Sequence, residues 1–159
     1  MNKMGTNENT CRRKSIRMPS YDYSFPGGYF ITICTHKELD KFGKIIEGKM
    51  ILNKIGEIVY KFWFEIPKHF SEVGLDEFVV MPNHIHGIIF IKDNCRGEVS
   101  SSHLNKGGET PPLHTLGKTI AYYKYQTTIV INKMRNKPGI PFWQRNYYER
   151  IIRNEDELN

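Results

Sequence analysis

His84 and His86 stand one residue apart in the stretch EFVVMPNHIHGIIFI, Glu77 to Ile91, which otherwise reads as two apolar strands turning at Pro82-Asn83. Alternate residues of a strand point the same way. The two imidazoles therefore share a face with Ile88 and Phe90, while Ile85, Gly87, Ile89 and Ile91 point to the other. Two imidazoles this close cannot both be charged cheaply in an apolar sheet. Neutral and converging, they make a pair of metal ligands, with bonds of roughly 2.0–2.1 Å to an ion such as zinc. Held on one strand, the pair leaves coordination positions open, as a catalytic site requires. The turn before them puts the pair at a strand end, near solvent. The spacing alone also fits two histidines satisfied by hydrogen bonds at a sheet edge.

The surrounding elements follow from pattern. After Pro26, Gly27 and Gly28, a β-rich run extends from Tyr29 to Thr35. KFGKIIEGKMILN reads as a short hairpin turning at Glu47-Gly48. Ile55, Ile58, Val59, Phe62 and Ile66 then recur at helical spacing, with Asn53 as N-cap and Pro67 as stop. Strands at Phe78–Met81 and His84–Ile91 follow. Leu116, Ile120, Tyr123, Thr127 and Val130 mark a second helix, although β-branched residues near its end weaken the pattern. KPGIPF is a turn, WQRNYYERIIRN alternates as a strand, and EDELN has the acids of a helix first turn. The resulting βαββαβ order predicts a ferredoxin-like α+β sandwich, an antiparallel sheet with helices on one face.

The 159 residues suit one domain, 21–159, preceded by a basic flexible tail, 1–20, and interrupted by a Ser-, Gly-, Asn- and Pro-rich flexible loop at 94–113. No apolar run approaches the roughly 18 residues of a bilayer span, and the polar, basic first residues do not read as a secretory signal, so no membrane is expected. Three cysteines without metal-ligand spacing suit a reducing, cytoplasmic setting. The +6 net charge is unevenly spread. His36 to Glu77 is balanced, with seven lysines and eight acids. Residues 1–20 hold five Lys or Arg against one Glu, and 114–153 hold eight against Glu149 alone. Two basic regions flanking a neutral middle suit a polyanion, or simply a solvated basic surface.

MPNHIHGII resembles the HUH motif (His, hydrophobic, His) of single-tyrosine DNA nucleases, and specifically the REP-associated tyrosine transposases and their insertion-sequence relatives. The stretches YDYSFPGGYFITICTHK, FGKI, LNKIGEIV, VGLDEFVVMPNHIHGII, KYQTTIVIN and FWQRNYYERIIRNEDEL fall in the order of that family. The resemblance implies that His84 and His86 hold a divalent cation, magnesium or manganese, which polarises a scissile phosphate. It implies a tyrosine that attacks the phosphorus, leaving a 5′-phosphotyrosyl link and a free 3′-OH. It also implies single-stranded or hairpin DNA as partner, and it leaves a homodimer open.

In that family the attacking tyrosine lies in a Tyr-Ile-x-x-Asn-Pro-like motif on a helix after the last strand, and no such motif occurs in these residues. The sequence thus reads as a family member cut short before its catalytic tyrosine, with no catalytic residue assigned, and is therefore expected to be inactive as given. Tyr122, Tyr123 and Tyr125 fall on the second helix. Tyr147 and Tyr148 are neighbours in a strand, so at most one faces the site. Candidate DNA contacts are Arg12, Arg13, Lys14 and Arg17 in the tail, and Lys118, Lys124, Arg145 and Arg150 in the basic last third. Trp143 and Gln144 could stack on or hydrogen-bond a base. The alternatives are a hairpin-binding module that does not cut, or an RNA-binding ferredoxin-like domain. The second lacks the Lys/Arg-Gly-Phe-Gly-Phe type of stacking motif.

Overall fold

The computed structural model describes residues 26–92 and 116–152. The basic tail, the 94–113 loop and the helix start at EDELN lie outside the described residues.

Eight residues of alternating burial, Gly27–Cys34, form β1. β2 (Gly43–Ile46) and β3 (Lys49–Leu52) form a separate hairpin, with Glu47 and Gly48 both at positive φ, as a tight two-residue turn requires. Helix α1 (Lys54–Trp63) begins at Asn53, whose Oδ1 accepts from the amides of Ile55 and Gly56 at 2.9 and 3.0 Å. Pro67 is not the stop expected of it. The helix ends at Trp63, and Pro67 sits in the first turn of the short α2 (Ile66–His69), where its missing N–H is no loss. β4 (Val73–Val80) and β5 (His84–Ile91) follow, then α3 (Leu116–Met134) and β6 (Tyr148–Ile152). The β-branched end of α3 stays helical because Thr127 and Ile131 are buried on its packed side. The last strand is shorter than its alternation suggests. Trp143 makes only an isolated bridge to Thr35, and pairing with β1 starts at Tyr148.

The main sheet runs β4-β5-β1-β6, with each neighbouring pair antiparallel. One face carries Tyr29, Ile31, Ile33, Ile85 and Ile89, all fully buried with Val59 and Trp63 of α1 and Leu116, Ile120 and Tyr123 of α3. Gly87 is what lets α1 settle there. A Cβ at that position would lie 2.3 Å from the Trp63 ring, so the indole packs on bare backbone. The Tyr123 hydroxyl donates to the Val59 carbonyl at 3.0 Å and ties the two helices together. This is the α+β sandwich anticipated from the sequence. The helices cover one face, and His84 and His86 belong to the other.

Candidate metal and nucleic-acid site

Register assembles the site. His86 pairs with Thr32 of β1 and with Val79 of β4, His84 pairs with Cys34, and Thr32 pairs on its other side with Tyr148. Directly opposed residues of an antiparallel sheet share a face, so Val79, His86, Thr32 and Tyr148 form one row across the side opposite the helices. Tyr148 is therefore the member of the tyrosine pair on the face of the histidines. It is 48 % exposed, whereas Tyr147 packs against the core.

Each imidazole is held by its inner nitrogen. His84 Nδ1 lies 2.6 Å from Asn83 Oδ1, and His86 Nδ1 lies 2.8 Å from Thr32 Oγ1. An amide oxygen only accepts, so the proton of that bond sits on His84 Nδ1, and Nε2 is the nitrogen that faces outward. The two Nε2 atoms meet at 3.0 Å. Burial, and secondarily the neighbouring His84, push the His86 pKa below its ordinary value, so its ring is neutral at neutral pH. Phe30 lies almost parallel to the His86 ring, with centroids 5.3 Å apart and planes at 27°.

This arrangement suits a divalent cation. Bonds of roughly 2.0–2.1 Å to both Nε2 atoms would enclose about a right angle at their observed spacing, which is how two adjacent ligands sit on one ion. The Nδ1 partners supply the outer support that metal-binding histidines ordinarily have. Among the described residues no group of three or more His, Cys, Asp or Glu side chains gathers, so the pair offers two donors.

The turn is anchored to hold His84 in place. The Asn83 carbonyl accepts from the Thr35 amide at 2.8 Å, that of Pro82 accepts from the amides of Lys41 and Phe42, and the Asn83 side-chain amide donates to the Glu38 carbonyl. Thr32 and Asn83 escaped the sequence reading as site residues. Asn83 looked like turn chemistry, and Thr32 is recognisable only once β1 is set against β5 in register.

The expected nucleic-acid contacts separate by position. Arg150 pairs with Phe30, so it stands on the open face beside the histidines. Arg145 is exposed and Gln144 half-buried in the segment before β6. Lys118 is exposed on α3, in the helical layer on the far side of the sheet. Lys124 turns inward. Its ammonium donates to the carbonyls of Gln144, Arg145 and Asn146 at 2.6, 3.1 and 3.4 Å, and burial lowers its pKa to about 8. Trp143 is buried and donates from Nε1 to Thr127 Oγ1 at 2.9 Å, which gives it a packing role instead of an open stacking face. Arg12, Arg13, Lys14 and Arg17 lie outside the described residues. Among the described residues no helix is long and apolar enough to cross a membrane.

No family model matches the chain. Solved structures share its fold, among them the following two. One is a REP-associated tyrosine transposase bound to a REP hairpin, with a TM-score of 0.55 and 14% identity over 89% of this chain. This chain spans 66% of that protein's length. The other is a Deinococcus radiodurans protein provisionally named a transposase, with a TM-score of 0.53 and 11% identity over 89% of both chains. At such identities the likeness is one of fold. A closer relative in sequence is an uncharacterized protein of Haemophilus influenzae, 40% identical over 146 residues that cover 90% of this chain and 80% of the relative. The chain belongs to the same protein family as that Haemophilus influenzae protein, and its fold is transposase-like.

Proposed function

We propose that this chain binds single-stranded or hairpin DNA and acts on it as a transposase-type domain, with a divalent cation, magnesium or manganese, held by His84 and His86. The observation that carries the reading is the convergence of the two Nε2 atoms at 3.0 Å on the sheet face opposite the helices, each ring fixed through Nδ1. A fold neighbour bound to a REP hairpin supports DNA as the polyanion that the basic ends of the chain would attract.

When bound, the cation would supply Lewis-acid polarisation of a phosphodiester. The chain's own residues do the rest. Thr32 and Asn83 fix the rings, and Arg150, on the same face, neutralises phosphate. Tyr148 stands two strand spacings from His86, roughly 10 Å, and among the described residues is our candidate to attack. In that step the phenolic oxygen bonds to phosphorus and the P–O3′ bond breaks. The phenol proton passes to solvent, and the departing O3′ takes one up. The result is a 5′-phosphotyrosyl link and a free 3′-OH.

A second reading, a module that binds hairpins without cutting them, is favoured by the gathering of only two metal donors among the described residues. Incubating end-labelled hairpin DNA with the full chain and manganese, then running a denaturing gel, separates the two. A covalent band lost in Tyr148→Phe supports the first reading, and a band that persists in Tyr148→Phe assigns the attack elsewhere. Retention on a native gel with no covalent band supports the second. No retention at all refutes both.

A further inference from the structure

Beside His86, on the sheet face opposite the helices, lies a recess of about 130 Å³, lined by Phe30, Glu77, Phe78, Val79, His86, Gly87 and Ile88. An irregularity in β4 lies at its edge. The register slips between Leu75 and Phe78, so that Asp76 and Glu77 together oppose Ile88. Bulges of this kind re-aim a side chain, and here the side chain brought to the rim is a carboxylate. The walls are otherwise apolar apart from the imidazole. Phe30, 37 % exposed, offers a ring already aligned with that of His86.

Sites for whole drug-sized ligands run from roughly 300 Å³ upward, so this recess takes one ring system. Its occupant should be flat and apolar on its faces, to lie against Phe30, Val79 and Ile88. It should carry N–H donors on one edge for Glu77, a group that only accepts. It should also be joined to whatever the histidine pair engages a few ångströms away. An unstacked nucleobase meets all of these conditions. Among the bases, guanine presents two parallel N–H groups, at N1 and N2, on its Watson–Crick edge, matching the two oxygens of a carboxylate. We propose that this recess reads a single guanine next to the phosphate held at His84 and His86, with Glu77 as the specificity-determining residue. The proposal rests on the DNA reading given above.

The test uses the full chain and a pool of DNA hairpins carrying a randomised single-stranded flank, with the retained fraction sequenced for wild type, Glu77→Gln and Glu77→Ala. Wild type should enrich guanine at one flank position by about fivefold or more over the other bases. Glu77→Ala should flatten that position. Glu77→Gln, which can donate as well as accept, should shift it toward adenine. Glu77 is exposed, so both variants should fold, and an unchanged thermal melt verifies it. Retention by all three proteins with the same base profile, or with no preferred base in wild type, overturns the recess while leaving DNA binding intact. Retention by none refutes the DNA reading itself.

Discussion

Replacing Thr32 by Val removes the hydroxyl that holds His86 Nδ1 at 2.8 Å and nothing else on that face. Val is well suited to a strand, so β1 should keep its pairing with β5 and β6. What changes is the aim of one imidazole. A hydrogen bond of this type contributes about 0.5–1.5 kcal/mol net. Loss of an outer partner of a metal-binding histidine typically costs about 10–100-fold in metal affinity. Two features place the effect at the lower end. Phe30 still lies against the His86 ring, and His84 keeps its own partner, Asn83, at 2.6 Å. We therefore expect manganese to bind about tenfold more weakly to Thr32→Val, equivalent to about 1.4 kcal/mol. The assay is calorimetric titration of manganese into the chain with hairpin DNA present. Equal affinity in wild type and Thr32→Val, alongside loss of binding in His86→Ala, would show that Thr32 does not orient the ligand.

Gly87→Ala should destabilise the fold, because the new Cβ meets the Trp63 ring at 2.3 Å and that indole is fully buried. Overpacking of this kind costs about 1–3 kcal/mol, or roughly 2–10 °C in Tm by thermal melting for a chain of this size. Lys124→Met should alter the dependence of stability on pH. The folded-state pKa of about 8 lies below the unfolded value of roughly 10.4. The unfolded chain therefore holds the proton more tightly in that window, and this group's contribution to stability rises from pH 8 to 10 and is lost as pH falls through 8. Chemical denaturation across that range should show the wild-type stability gaining on the variant as pH rises. Affinity for hairpin DNA should fall steeply with salt. Removing residues 1–20, with their five basic side chains, should lower the slope of log K against log salt by up to about 4 without changing which hairpin is preferred.

The shared face of the pair was legible because it depends on period two alone. The alternation of HIHGIIFI puts both histidines opposite the side that Ile85 and Ile89 bury, whatever the neighbouring strands do. The Asn53 cap was equally local, since its bonds reach only two and three residues ahead. Features that depend on distant partners were not legible. Thr32 and His86 are 54 residues apart, and a one-residue change of register would separate them. The basic side chain of Lys124 suggested a surface role, yet three carbonyls some 20 residues away draw it inward. Trp143 resembles a stacking platform until Thr127, on a helix, takes its N–H. Glu77 is not legible in the sequence, because the irregularity at which it sits is a property of two paired strands and not of one.

The central claim is that His84 and His86 hold one divalent cation at the DNA. The most direct measurement is an electron paramagnetic resonance titration of manganese into the full chain with hairpin DNA, for wild type, His84→Ala and His86→Ala. Wild type should bind one manganese per chain, and neither variant should bind any at the same concentrations. Wild type that leaves all the manganese free, or variants that bind it as wild type does, would contradict it.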